Sequence, residues 1–549
     1  MPKTVIQWRA WVPESFSEAA ERRKPIFLWA EPSWSPGGLV PSRSHLEEGS
    51  LGDLLASNFI PMAVDPEEVP QVPLWYGLKN FPSVLVLAPD GRPLAGGEAP
   101  NTRVLKELLR ATSSWLVPCG PIPRTGMASF DLPFVPPAAG NLERGLEAIE
   151  SIKDRVLDAL GQESFASGSP PAQIEAIRFL CRFSIATGDQ NPLTHAIRHL
   201  HSLGHSSLYD DVEGGFFGGA YGGRAKTFKL LGHNANWLML ALGLCREPGA
   251  GFALPMAKGI LHYLHNRLLL PGGSFGNSQA EAPAYYALSG EARRKMETPP
   301  VDKSVYAAPN ATAVRALCKG WRLLGEPAYL RQAVNAFAAL RASVEDPGGA
   351  LAHGFRQGAF GEGTLEANVE MGHAYLALYH STLEPSYLEG LRKTVHRIVG
   401  DFKNPAGEGF LDMRSPRGST GLPYRPTADA AHNAKASLLL LLASAQLGDE
   451  SLSVPARGAL GALAANPPGD LTALGSLGSA LLVALFPLGV YEAITDGSQD
   501  QRFRVLERLR QLGAPPAVIT HRLPAPHEGM QRLPRLVGRC GTNRHEVVV

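Results

Sequence analysis

Four long connections with a shared glycine–phenylalanine signature constrain this chain more than any other feature. They are Gly214-Gly215-Phe216, Gly272-Gly273-Ser274-Phe275, Gly348-Gly349 with Gly354-Phe355, and Gly407-Glu408-Gly409-Phe410. They recur about every 60–75 residues, which marks a repeated unit. Between them lie runs with apolar residues at helical spacing, such as Leu438, Leu441, Leu442 and Ala445. These runs predict twelve helices, near 141–160, 172–187, 192–203, 229–246, 252–267, 309–324, 327–343, 365–382, 385–401, 429–447, 450–465 and 471–485. Short connections alternate with the long ones: Thr187-Gly188-Asp189, Arg246-Glu247-Pro248, Gly325-Glu326-Pro327, Leu383-Glu384-Pro385 and Gly448-Asp449-Glu450. Glycine closes a helix by accepting a left-handed cap, and proline suits the first turn of the next. Antiparallel helical hairpins return every second connection to the same end. Residues 141–485 are therefore expected to close into an (α/α)6 toroid, with the long loops crowding one mouth.

The remaining length asks for further domains, since one core rarely grows beyond about 250–300 residues. Residues 1–118 alternate helix and strand. Glu14–Arg23 reads as a helix, Pro25–Ala30 as a buried strand, Leu46–Ser57 as a helix and Phe59–Asp65 as a second strand. Phe81–Ala88 is a third strand, Arg92–Gly97 its hairpin partner and Arg103–Trp115 a closing helix. That order is the thioredoxin pattern. Residues 119–140 continue a proline-rich, unperiodic stretch that reads as a linker. Residues 486–549 return to mixed structure, with a strand in GVYEAITDG, an amphipathic helix over Gln499–Leu512 and a strand in APPAVITHRL. The expected fold class is multidomain: an α/β thioredoxin-like domain, an all-α (α/α)6 six-hairpin toroid, and a small C-terminal α/β module.

Several of these blocks resemble the spermatogenesis-associated protein 20 (YyaL-type) family. IQWRAWVPESFSEAAERRKPIFLWAEPSW looks like its opening, and NFIPMAVDPEEVP and FPSVLVLAPDGRPLAGG match two further blocks. The resemblance implies a thioredoxin-like domain fused to a six-hairpin toroid, a fold shared with sugar epimerases and glycoside hydrolases. Pro82 falls where such domains place a cis-proline. The family's Cys-x-x-Cys is replaced here by Ser35 and Gly38. Thiol exchange needs a thiolate, which Ser35 lacks. The domain is expected to be redox-silent.

The stretch Tyr209–Asn236, YDDVEGGFFGGAYGGRAKTFKLLGHNAN, is similar to a family block. Tyr209, Asp210, Val212, Gly214, Gly215 and Phe216 match, with Lys229, Asn234 and Ala235 at the far end. His233 stands where the family has an aspartate. A long loop of this kind is either a functional loop or a structural one whose glycines take left-handed turns, and both readings stand. The other family blocks are eroded. Ser-Gln-Asp-Ala-Asp reads Ser278-Gln279-Ala280-Glu281-Ala282, and Asp-Asp-Lys with Asp-Trp-Asn survives as Asp302-Lys303 and Asn310. Leu-Asp-Asp-Tyr-Ala reads Leu365-Glu366-Ala367-Asn368-Val369, and Asn433 survives beside His432.

Glycoside cleavage usually needs two carboxyl groups facing the scissile bond, about 5–9.5 Å apart. Epimerisation needs placed acid–base groups. Glu281 and Glu366 are the candidate catalytic pair. Asp210, Phe216, His233, Asn234, Trp237, Asp302, Asn310, His432 and Asn433 are candidate ligand-binding residues, with Phe216 and Trp237 as apolar walls. His233, His373 and His432 are possible bases, although a lone helical histidine such as His373 is more often structural. Most of the family's acids are missing, which favours a degraded member that binds a sugar-like small molecule or a protein partner. The alternative is a carbohydrate-active enzyme of hydrolase or epimerase type.

Net charge is +1, so there is no electrostatic footprint for nucleic acid. The longest apolar run, Leu438–Leu447, is too short to span a bilayer. The N-terminus lacks the apolar region of a signal peptide. A cytoplasmic location is expected. Cys119, Cys181, Cys245, Cys318 and Cys540 are scattered, so no metal site and no disulfide framework is expected. No cofactor motif appears.

Overall fold

A computed structural model describes residues 5–35, 44–47, 49–79, 81–98, 102–113, 145–162, 169–221, 224–414, 422, 426–486, 489–512, 518–522, 535–540 and 543–548. The linker expected over 119–140 lies outside the described residues, as do Gly38 and Cys119.

The first domain runs α1 (Pro13–Glu21), β1 (Ile26–Ala30), α2 (Gly49–Asn58), β2 (Ile60–Val64), α3 (Gln71–Tyr76), β3 (Ser83–Leu87), β4 (Pro93–Glu98) and α4 (Thr102–Thr112). Its sheet order is β2-β1-β3-β4, with β1 parallel to β2 and antiparallel to β3. β1 and β3 are buried along their whole length, because helices and connecting chain cover both faces. Two apolar layers result, one around Trp11, Leu28, Met62 and Trp75, the other around Phe27, Leu51, Leu55 and Leu105. The Phe81–Pro82 peptide is cis.

Among the described residues, twelve helices of eleven residues or more follow before the C-terminal module. They are α5 (Gly145–Leu160), α6 (Pro170–Thr187), α7 (Gln190–Gly204), α8 (Leu231–Leu244), α9 (Ala253–Tyr263), α10 (Ala307–Leu324), α11 (Pro327–Val344), α12 (Leu365–Thr382), α13 (Pro385–Asp401), α14 (Ala430–Leu447), α15 (Ser453–Ala465) and α16 (Leu471–Leu485). Helices α6, α8, α10, α12, α14 and α16 pack side by side in a closed cycle, and α16 meets α6. Each has an outer partner, and α16 takes the first helix, α5, as its own. The two ends of the helical segment therefore zip the ring shut. The inner helix α12 is buried nearly all round, as a helix enclosed by neighbours must be. The inner helices α8, α10, α12 and α14 start at the long loops and end at short turns. Gly188, Gly325 and Gly448 close α6, α10 and α14 in the left-handed conformation, and Leu383 does so for α12 at φ 54°.

The C-terminal module is β5 (Val490–Ile494), α17 (Gln499–Leu512), β6 (Val518–Arg522), β7 (Arg535–Cys540) and β8 (Asn543–Val548). Its sheet order is β6-β5-β7-β8, with β5 parallel to β6 and antiparallel to β7. That repeats the strand order and pairing directions of the first domain. The module docks on the short-turn end of the ring. Val505, Leu506, Leu509 and Ile519 pack against Trp321, Tyr379 and Leu383. The Gln446 amide pairs with both backbone groups of Ile519, at 2.6 and 3.1 Å.

The first domain sits on the opposite end, over the mouth. Trp34 stacks on Phe228, with ring centroids 3.8 Å apart. His353 Nε2 lies 2.7 Å from the Glu67 carbonyl, and Arg356 pairs with Glu68 at 2.5 Å. Met413 and Leu422 pack against the domain's core. The domain is a roof on the ring. Among the described residues, no helix is long and apolar enough to cross a membrane.

Candidate functional site

The mouth is built by a device that occurs three times in full. Asn234, Asn310 and Asn433 are each the fourth residue of an inner helix. Each accepts the backbone N–H of a loop phenylalanine (Phe216, Phe275 or Phe410) through Oδ1 at 2.7–2.8 Å. Each returns an Nδ2 hydrogen bond to the same phenylalanine's carbonyl, at 2.9–3.0 Å. Gly215, at φ 88°, makes room for this: a Cβ there would lie 2.9 Å from Asn234 Oδ1. Asn368 holds the same position in α12, but its buried Oδ1 has no partner.

This corrects the expectation that Asn234, Asn310 and Asn433 contact a ligand, because their amides are committed to loop backbone. Phe216 and Trp237 are not walls of the mouth either. They are 2% and 1% exposed and stack on each other inside the core, 4.7 Å between centroids. Asp210 is likewise structural. It is buried between Lys229 at 2.7 Å and Arg293 at 2.8 Å, and it accepts the Val212 N–H. Burial alone would raise its carboxyl; Lys229 and Arg293 outweigh that and hold it below the usual range. Burial in turn lowers Lys229 to about 8, against the pull of Asp210.

The histidines divide by environment. Burial lowers His233 to about 4, with Lys435 adding to the effect, and its Nδ1 is unpartnered. Burial also holds His373 well down, with Arg315 adding to it. Burial opposes charge on His432, but Asp429, Asp412 and Glu366 outweigh it and push its pKa up to about 10. His432 Nδ1 lies 2.9 Å from Asp412, and its Nε2 lies 3.8 Å from Glu366. His432 is therefore a cation at neutral pH and is no base there.

Glu281 and Glu366 have different surroundings and share no hydrogen-bond partner. Glu281 accepts a long bond from the Thr227 N–H at 3.4 Å, and burial raises its carboxyl. Glu366 stands in the first turn of α12, with its side chain 43% exposed beside His432. Ser35 is buried and donates to Glu31 at 3.0 Å, and Glu31 also accepts from Trp29 Nε1 at 3.0 Å.

Asp302 belongs to a group that the sequence reading left unassembled. A cleft of about 540 Å³ lies between roof and ring. Its roof wall carries Trp29, Glu31, Ser33, Asp65 and Glu68; its ring wall carries Asp302, Lys303, Ser304 and Arg356. The roof residues stand at the carboxyl ends of the parallel pair β1 and β2, where α/β folds expose their functional loops. Asp302 Oδ1 accepts from the Ser304 N–H at 3.0 Å and hydroxyl at 2.7 Å, while its buried Oδ2 has no partner. The Tyr306 hydroxyl is also buried and unpartnered, and burial together with Asp65, Glu67 and Asp302 pushes the phenol up. Asp65 is pushed up to about 7 by burial, with Glu67 and Glu68 adding to the effect. Two backbone N–H bonds, from Glu67 at 2.8 Å and Ser33 at 3.0 Å, oppose this. Glu67 is raised by burial as well, between Trp34 and Asn277. A signal for this site was present. D-P-E-E places three carboxylates in four residues directly after a strand.

Chemically, the cleft offers Asp65, whose carboxyl titrates near neutral pH, together with further carboxyl groups and the hydroxyls of Ser33 and Ser304. Such a set both donates and accepts hydrogen bonds. Among the described residues no cluster of histidine, cysteine and carboxylate fits a metal ion.

An uncharacterized protein of Caenorhabditis elegans, B0495.5, is 24% identical over 232 residues, which cover 38% of this chain and 32% of that one. The match thus spans about a third of the curated relative's length. Among solved structures, a sugar epimerase from a ruminal bacterium is 18% identical, with 48% of this chain and 70% of that chain covered and a TM-score of 0.39. The cellobiose 2-epimerase of Bacillus thermoamylovorans B4167 is 10% identical, with 58% and 85% covered and a TM-score of 0.46. A family 105 glycoside hydrolase of C. acetobutylicum ATCC 824 is 11% identical, with 63% and 99% covered and a TM-score of 0.44. Residues 2–98 match Thioredox_DsbH, described as a protein of unknown function, DUF255, and the first domain is thioredoxin-like.

Proposed function

We propose that this chain binds a neutral, polyhydroxylated, sugar-like molecule in the cleft between roof and ring, as a divergent member of the spermatogenesis-associated protein 20 family located in the cytoplasm. The observation that carries the reading is that Asp65 and Asp302 line opposite walls of one cleft. Asp65, pushed up to about 7, supplies a carboxylic O–H in the fraction of molecules protonated at neutral pH. Asp302, on the opposite wall, has a buried Oδ2 without a partner. A sugar hydroxyl both donates and accepts, so it meets such a pair better than a charged ligand would. The volume suits a small ligand, since ligand sites run about 300–1,000 Å³. The loss of the family's ring carboxylates supports binding rather than turnover.

Isothermal titration of the full chain against neutral mono- and disaccharides tests this. At least one should bind, and Asp302→Asn should weaken it about tenfold, the loss of one hydrogen bond to a charged group. Binding that is absent throughout, or unchanged in Asp302→Asn, contradicts the reading. The same pair, one carboxyl from each wall, also favours a second reading as acid and base of a glycosidase. Release of nitrophenol from aryl glycosides, abolished by Asp302→Asn, would decide for that one.

A further inference from the structure

The axis of the ring, below the mouth, gathers basic side chains that the roofed cleft does not use. Glu175, Arg178 and Arg182 come from α6, Arg315 and Lys319 from α10, and Glu370 from α12. Arg178 is fully engaged: it pairs with Glu175 at 2.6 Å and donates to Asn236 at 2.6 Å. Glu175 is shared with Lys435 at 3.4 Å. Arg315 pairs with Glu370, which also accepts from Thr312 at 3.1 Å. Lys319 donates to the Met239 carbonyl at 2.7 Å. Arg182 has none of this. Its Nη1 is buried without a partner, and no hydrogen bond or ion pair reaches its guanidinium among the described residues.

The surroundings of Arg182 make that orphan informative. Arg178 and Arg315 bear on it as like charges and Glu175 opposes them, but Glu175 and Glu370 are already claimed by Arg178 and Arg315. Lys319 is lowered to about 7 by burial, with Arg322 adding to it, so it can shed its proton. A guanidinium cannot do so at neutral pH. Helix dipoles do not supply the missing counter-charge. Their effect fades within the last turn, and Arg182 stands five residues before the end of α6 at Thr187. A half-buried cation beside other cations, with its Nη1 buried and unpartnered, fits a guest with paired oxygens. Lys435 feels Glu366 at the mouth as well as Glu175 and Glu370 on the axis.

We propose that the ring axis is a second binding site, for a small oxyanion (a carboxylate or phosphate group) held by Arg182 with Arg178, Arg315 and Lys319 around it. The site is independent of the sugar-like ligand in the roofed cleft.

The test is thermal unfolding and isothermal titration of the full chain with inorganic phosphate and, separately, acetate, at ionic strength fixed with sodium chloride. At least one anion should raise the unfolding temperature saturably. A response to phosphate alone assigns a phosphate group, and a response to acetate assigns a carboxylate. Arg182→Met should weaken the effective anion about tenfold or more, the loss of a charge-assisted hydrogen bond. Without anion it should unfold no earlier than the parent. If it does not fold, Arg182→Lys keeps the charge but not the fork, and should weaken the anion in the same direction. No stabilisation beyond that of chloride, or a variant that responds like the parent, overturns the proposal. Saccharide titration of the Arg182 variant should match the parent, so the two sites stand or fall separately.

Discussion

At the scale of single residues, burial and pairing decide what each ionisable group can do. Asp65 is the sharpest case. Its folded pKa is about 7, against an ordinary value of 3.8. The folded state thus binds the proton more tightly than the unfolded chain, and stability falls as pH rises from about 4 through 7. Unfolding temperatures measured from pH 4 to 8 should decline across that window, and Asp65→Asn should flatten the decline. Glu67 is raised in the same sense, so some slope will remain. An unchanged slope in Asp65→Asn would refute the assignment. Asp210 behaves oppositely, as a buried anion between two cations. Asp210→Ala should cost about 3–5 kcal/mol in denaturant titration, because Lys229 and Arg293 lose their partner. It should leave saccharide affinity unchanged in the variant that still folds. Sequence alone ranks such residues poorly, since Asp210 and Asp302 are both acids in matching blocks and differ only in what surrounds them.

At the scale of elements, much was legible. The helix over Gln499–Leu512 has the same bounds in sequence and structure, because its charge and apolar pattern is strongly periodic. The short turns around Gly188, Gly325 and Gly448 were also readable, because glycine and proline punctuate helices by backbone geometry. The hairpin of β7 and β8 was not, since RLVGRC and NRHEVV carry little alternation. The asparagines were misassigned for a more instructive reason. Asn234, Asn310, Asn368 and Asn433 share one helical position, which is the signature of a repeated structural part. Read block by block, they look like a scattered binding set. Asn310→Ala or Asn433→Ala should destabilise by about 2–3 kcal/mol, since each strands a buried backbone N–H and carbonyl. Asn368→Ala should cost distinctly less, because its Oδ1 has no partner to lose. Equal costs in denaturant midpoints would show that the clamp is not what these residues supply.

At the scale of the whole molecule, the ring is closed at both ends by modules with the same strand order, one over the mouth and one under the short turns. The sequence divides by pattern into three segments, but it gave no sign that the first is a roof whose acidic corner completes the mouth. That arrangement depends on contacts between residues far apart in the chain, such as His353 with Glu67 and Trp34 with Phe228. Trp34, beside Ser35, is thus a docking surface for the ring. The most direct test is hydrogen exchange of the full chain with and without the saccharide that binds best. Protection is expected together in residues 31–35 and 63–68 of the roof and 301–304 and 353–356 of the ring. Protection confined to the ring, or centred on the Tyr209–Asn236 loop, would contradict a ligand site between the two domains.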